Sequence, residues 1–125
     1  MLFDTDIFIW VQRGNERAAS LIDHAGQRYL SIFSYMELFQ GVKNKTQHKY
    51  IKDFLYDFGF LVLPLTENIG HRASIYIEEY ALSSYLRAGD AIVAATAVEN
   101  SLPLVSSNTK HFKPIKDLRL KVFIP

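Results

Sequence analysis

Short apolar runs alternate with longer amphipathic segments along this chain, and each short run closes on a polar or turn residue. Leu2-Phe3 stops at Asp4, Tyr29-Leu30-Ser31-Ile32 stops near Ser34, and Phe60-Leu61-Val62-Leu63 is ended by Pro64. Pro103-Leu104-Val105 and Lys121-Val122-Phe123-Ile124 repeat the pattern further on. These five runs predict strands. Between them the apolar spacing is helical. A first helix is predicted from about Thr5, with Asp6 in its first turn, and a second from the capping residue Asn15 through Leu21 and Ile22. Ser34-Tyr35-Met36-Glu37 fits a capping box with Ser34 as the cap and Glu37 at the third position, and Gly41 stops that helix. Tyr50, Ile51, Phe54, Leu55 and Phe58 share a stripe between Lys45 and Phe58, as do Ile69, Ala73, Tyr76, Ile77 and Tyr80 after Thr66. Asp90 to Val98 is rich in alanine and predicts a helix able to pack closely on a sheet. Strands separated by helices argue for an α/β fold: a three-layer α/β/α sandwich around a parallel sheet of four to five strands.

Composition narrows this picture little. At 125 residues, with 49% hydrophobic and 22% charged positions, the chain fits a single globular domain over residues 1–125. No repeat, linker or low-complexity tract divides it. A net charge of +1 provides no global field for a polyanion, so binding of nucleic acid would need a local patch. Zero cysteines exclude disulfides, thiolate metal sites and a cysteine nucleophile. No apolar stretch reaches the ~20 residues of a membrane span, and Asp4 and Asp6 interrupt the first apolar run, which argues against a signal peptide. The default expectation is a cytoplasmic protein with no membrane contact.

The chemistry gathers at strand ends. Asp4 follows the first strand, Glu37 lies beyond the second, Asp90 opens the helix before the fourth, and Asn108 lies just past the fourth. In a parallel sheet all four can meet at the carboxyl edge, where open α/β folds bind ligands. Oxygen donors of this kind suit Mg2+ or Mn2+. Without a cation, two carboxylates ~4 Å apart repel by roughly 4 kcal/mol at an effective dielectric of ~20. Each residue also has a structural reading. Asp4 can cap its helix, Glu37 can complete a capping box, Asp90 can satisfy the helix dipole and Asn108 can serve a turn. Asp6 reads as structural or supporting.

The motifs together resemble the PIN-domain family, in particular the VapC-type toxins of toxin–antitoxin pairs. The matching segments are Leu2-Phe3-Asp4-Thr5-Asp6, Ser34-Tyr35-Met36-Glu37-Leu38 with Gly41, Leu86-Arg87-Ala88-Gly89-Asp90 continuing through Ala97, and Leu104-Val105-Ser106-Ser107-Asn108 continuing through Phe112. The resemblance implies that Asp4, Glu37 and Asp90 are the acidic, metal-holding residues of a nuclease site, with Asn108 in the fourth catalytic position. It also implies a Mg2+- or Mn2+-dependent endoribonuclease with strand one central in the sheet. The implied partners are an RNA substrate, a cognate VapB-type antitoxin in hetero-oligomeric complex, and a second copy as a homodimer. An amide at Asn108 makes a tightly held second metal less favourable, and Ser107 stands where relatives often carry Arg or another polar residue. Lys-His-Phe around His111 fits a structural segment in that pattern.

Arg13, Lys43, Lys45, Lys49 and Lys110 are candidate phosphate contacts or simply solvated charges. Tyr35, Phe39, Phe54, Phe58 and Tyr76 are expected to supply core or surplus apolar surface for partners. Two other readings compete. A haloacid-dehalogenase-type phosphatase would use Asp4 as nucleophile and Asp6 as acid, although the second acid of its later motif is replaced by Ala94. A catalytically silent PIN domain would bind RNA or protein without cutting.

Overall fold

A computed structural model describes residues 1–125. Five strands form one parallel sheet: β1 (Leu2–Phe3), β2 (Tyr29–Ser31), β3 (Leu61–Leu63), β4 (Leu104–Ser106) and β5 (Leu120–Val122). Their order is β3-β2-β1-β4-β5. The chain therefore winds outward from β1 to β3, then returns to the other side of β1 for β4 and β5. The reversal lies between β1 and β4, where Leu2 pairs with Leu104 and Phe3 with Val105.

Seven helices cover the two faces: α1 (Thr5–Gln12), α2 (Glu16–Asp23), α3 (Ile32–Gln40), α4 (Lys45–Asp57), α5 (Glu67–Ser84), α6 (Ala88–Glu99) and α7 (Thr109–Phe112). The alternation of side chains along a strand divides the core in two. Leu2 and Leu104 join Ile69, Ala73, Tyr76 and the alanines of α6 on one face. Phe3, Leu30 and Val105 join Ile7, Ile22, Leu38, Ile51 and Leu55 on the other. Burying each large aliphatic or aromatic side chain contributes about 1.5–3 kcal/mol. The three-layer α/β/α expectation holds, with five strands.

Local sequence explains where the helices begin. Asp4, Asn15, Ser31, Asn44 and Thr66 each accept a hydrogen bond from a backbone N–H of the following turn. Such caps contribute about 1 kcal/mol apiece. One expectation is corrected here. Ser31, not Ser34, caps α3, accepting from Ser34 N at 3.0 Å. The chain enters the helix directly from β2, so the first turn forms three residues earlier than the capping-box pattern suggests. Glu37 then falls in the middle of α3 and has no capping duty.

The aromatics left open between core and surplus surface belong to the core. Tyr76 is buried, and Tyr35, Phe39, Phe54 and Phe58 pack against the core. Phe54 meets Phe8, Phe58 and Phe60 at ring-centroid distances of 6.2, 4.8 and 6.3 Å. The large apolar residues left exposed are others, among them Met36, Tyr56, Leu61, Leu82 and Tyr85.

Helix α6 packs closely because Ala91, Ala94, Ala95 and Ala97 are all fully buried and small. At its other end, Arg72 of α5 pairs with Glu99 at 2.5 Å and with Asp117 at 2.7 Å, tying α5 to the loop before β5. Replacing Ala94 by Leu is expected to lower stability by about 1–3 kcal/mol in urea unfolding, because three extra heavy atoms must enter a filled layer. Leu82→Ala at a 97% exposed position is expected to stay within about 0.5 kcal/mol of the parent.

Candidate active site at the carboxyl edge of the sheet

Asp4 stands where the central strand ends. Its backbone N–H still belongs to the sheet, donating to the Val105 carbonyl at 3.0 Å, while its side chain already caps α1. One carboxylate oxygen accepts from Thr5 N at 2.8 Å and the other from the Ser106 hydroxyl at 2.9 Å. Only 9% of the residue is exposed. Burial above all, and then the charges of Asp6 and Asp90, push the Asp4 carboxyl up to about 7, against the pull of its Ser106 and Thr5 hydrogen bonds.

The strand on the other side of the reversal supplies the supports. Ser106 is fully buried at the end of β4, and its oxygen also accepts from Asn108 N at 2.9 Å. Asp6 reaches the same turn. Its Oδ2 accepts from Ser107 N at 2.8 Å and from the Ser107 hydroxyl. Its Oδ1 is buried without any hydrogen-bond partner. The expected supporting role of Asp6 thus takes a definite form, with one oxygen fixed and the other orphaned. Ser107 spends its hydroxyl on Asp6.

Asp90 lies in the first turn of α6, with Oδ2 3.3 Å from Arg87 N, a long contact that commits it only weakly to capping. Gly89, next to it, faces Phe33 of α3. A Cβ there would come within 2.3 Å of the ring, so the absent side chain lets α3 and α6 approach each other behind the acids. Glu37 is exposed, and its Oε1 accepts from the Thr5 hydroxyl at 2.7 Å. Thr5 therefore holds two acids, Asp4 through its backbone N–H and Glu37 through its side chain. Asn108 precedes α7, but its side chain makes no capping bond.

The structure brings Asp4, Asp6 and Asp90 into one electrostatic neighbourhood and fastens Glu37 to its edge through Thr5. It does not close them into a ready cage: no three acidic or histidine side chains converge tightly enough to hold a metal ion by themselves. The donor set still fits a hard divalent cation in its chemistry. It consists of carboxylate oxygens, one of them buried and unpartnered, around an acid lifted by burial and then by like charge, and Mg2+ usually keeps several waters where protein ligands are few.

An open groove of about 720 Å3 begins beside Glu37 and Thr5 and runs past Ile9, Val42 and Lys43 to Tyr50. Of the candidate phosphate contacts, Lys43 lines this groove, Lys49 pairs with Asp53 at 2.6 Å, Arg13 lies over Trp10, and Lys110 lies over Tyr85. His111 places Nδ1 3.1 Å from the Ser84 carbonyl, joining α7 to the end of α5. Sequence reasoning did not single out Ser106 or Thr5. Their signal was the polar ending of the strand and the hydroxyl between two acids, ordinary features until the fold pairs β1 with β4.

The PIN domain family model matches residues 1–118. The chain belongs to the PIN domain family. Among curated proteins, it is 29% identical to ribonuclease VapC1 of Rickettsia felis, over 96% of this chain and 93% of that protein. It is also 29% identical to ribonuclease VapC10 of Mycobacterium tuberculosis, over 100% of this chain and 95% of that one. A solved toxin-antitoxin complex from Klebsiella pneumoniae contains a chain that is 30% identical, with a TM-score of 0.80, covering 94% of this chain and 93% of the other. Membership of the PIN family displaces the haloacid-dehalogenase reading. In this PIN domain Asp6 is bound to Ser107, not held ready as an acid beside a nucleophilic Asp4.

The lifted Asp4 carboxyl has a thermodynamic consequence in metal-free buffer. Ionising it costs the folded state more than the unfolded chain, so its contribution is most favourable below pH 3.8 and declines as pH rises toward about 7, then levels off. Asp4→Asn cannot ionise and is expected to lack this decline. The stability of wild type relative to the variant should therefore fall by up to about 4 kcal/mol between pH 4 and pH 8, read from denaturation curves in EDTA. A gap between the two proteins that does not change with pH would show that Asp4 is not the strained acid.

Proposed function

We propose that this chain is a metal-dependent endoribonuclease acting as the toxin of a toxin–antitoxin pair. The observation that carries the reading is the buried Asp4 carboxyl, lifted by burial, Asp6 and Asp90 at the point where strand order reverses. Its PIN fold and its likeness to ribonucleases VapC1 and VapC10 support RNA as the substrate. Asp4 and Asp90 would hold Mg2+ or Mn2+, directly or through water, with Glu37 completing the set. When bound, such an ion supplies charge that offsets the charge developing on the phosphate and acidifies water.

The residues of the chain do the rest. Ser106 and Thr5 hold Asp4 in one orientation, so the carboxylate need not reorganise during the reaction. The Thr5 hydroxyl occupies Oε1 of Glu37, leaving Oε2 to orient a water molecule or accept its proton. Asn108 offers an uncharged donor to a phosphate oxygen. In-line attack of water on phosphorus breaks the P–O3′ bond, the proton passes to the departing oxygen, and a 5′-phosphate and a 3′-hydroxyl result.

The groove beside Glu37 is suited to an antitoxin segment with an apolar face, since Ile9, Val42 and Tyr50 line it and Lys43 stands at its wall. A segment seated there would block the approach to the acids. Likeness to the Klebsiella pneumoniae toxin-antitoxin complex supports such a partner, and exposed Met36, Leu61 and Leu82 provide apolar surface for a second copy. No helix is long and apolar enough to cross a membrane, and the expected site of action is the cytoplasm.

Asp90→Asn is expected to reduce RNA cleavage by two orders of magnitude or more, roughly the scale of losing one preorganised group, with the melting temperature preserved. A folded Asp90→Asn protein that cuts at the wild-type rate would overturn the site assignment. Mn2+ or Mg2+ should raise the melting temperature of wild type at pH 8, and much less so in Asp4→Asn. Metal-induced stabilisation without any RNA turnover would favour the catalytically silent reading. Sequencing RNA 5′ ends in cells expressing wild type or Asp4→Ala would identify the substrate.

A further inference from the structure

The connection from α5 to α6 is only three residues long, and it presents an aromatic ring to solvent shortly before Asp90. Tyr85 ends α5 in the left-handed conformation, φ 55° and ψ 30°, which L residues adopt reluctantly. The next residue, Leu86, is buried at 2% exposure and anchors the turn in the core. The one after that, Arg87, donates its N–H to Asp90. Tyr85 itself is 65% exposed. Its ring is not idle, because the Lys110 ammonium lies 5.1 Å from the ring centroid.

Lys110 belongs to α7, two residues after Asn108, and α7 is tied back to α5 by His111 at the Ser84 carbonyl. The Tyr85–Lys110 pair therefore bridges the turn that leads into α6 and Asp90 and the short helix that follows Asn108. Neither residue contributes to the core, and Tyr85 occupies a position where glycine would be unstrained. The local chemistry also suits a nucleotide better than an apolar partner. An exposed ring with the Lys110 ammonium over it combines a stacking face with a cation, and exposed Arg87 follows two residues later.

We propose that Tyr85, with Lys110 against its ring, is the platform on which a base next to the scissile phosphate stacks, making Tyr85 a substrate-positioning residue. The inference rests on the ribonuclease reading above and adds to it a base-contacting residue outside the acids. Stacking is tolerant of base identity, so the platform fixes where along a single strand the acids cut more than which base they choose.

The test uses the full chain carrying Asp90→Asn, in which cleavage is expected to be slow, and a fluorescein-labelled single-stranded RNA 12-mer followed by anisotropy. Adding Tyr85→Ala should weaken binding by about 5- to 150-fold, the equivalent of ~1–3 kcal/mol for one stacked base. Tyr85→Phe should bind like the parent, because the ring and not the hydroxyl is used. Tyr85→Gly removes the ring while relieving the backbone, so its loss of binding would come with undiminished stability. An abasic nucleotide walked along the probe should reveal one position at which the parent and Tyr85→Ala bind alike. Equal binding by the parent and either ringless variant on the intact probe would overturn the proposal, as would failure of Tyr85→Phe to bind. Failure of the Asp90→Asn protein to bind the probe would also overturn it, whereas the ribonuclease reading is judged separately by cleavage with the wild-type chain.

Discussion

The bond between the Ser106 hydroxyl and the Asp4 carboxylate joins residues 102 apart in sequence, and the candidate site is organised around it. It forms only because β1 and β4 lie side by side, at the point where the order of the parallel strands reverses. Leu2, Phe3, Leu104 and Val105 provide the force: all four are fully buried, two on each face, so both faces of the sheet fix the same pairing. A slip of one residue would exchange the faces of Leu2 and Phe3 and carry Asp4 out of reach of Ser106. Core register and site geometry are one constraint.

That constraint explains the electrostatics. Packing both faces of the strand draws Asp4 out of water, and the helix it caps brings Asp6 to the same turn of chain. Three neighbouring acids with few cations among them oppose folding locally. The remaining fold can bear this because its own ties lie elsewhere, in the alanine-lined contact of α5 with α6 and in the Arg72 pairs with Glu99 and Asp117. The strain is concentrated where a cation and a phosphate would meet.

Much of this was legible in the sequence, and the failures have physical causes. Parallel strands read as short apolar runs, whether buried in the centre (β1, β2, β4) or exposed at the edges (β3, β5), so all five were found, with ends shifted by a residue or two. Asn15 and Thr66 were visible as caps because a helical stripe follows each of them. The α3 cap was misplaced because Ser31 ends a strand and begins a helix with no intervening loop, and a local pattern at Ser34 imitated the signal. Asp4 and Glu37 stood out as acids after strands, and Asp90 as the acid that opens a helix. The partners of Asp4 and Asp6 did not, since a serine ending a strand becomes a hydrogen-bond donor only once β4 sits beside β1. The aromatics stayed open between core and partner surface for a related reason: helical spacing reveals a stripe but not the Phe3, Phe8 and Phe60 rings waiting to receive it.

The placement of β4 beside β1 also bears on timing during synthesis. A chain made from its amino end can pair β1 with β2 and β2 with β3 early, since these elements follow one another closely. The strand that carries Ser106 must wait until about a hundred further residues have followed Asp4, and closing so long a loop is slow even then. Until that moment Asp4, Glu37 and Asp90 exist in the nascent chain without the strand that aligns them. Products that stop before β4 carry the acids without the serine that holds Asp4 in place.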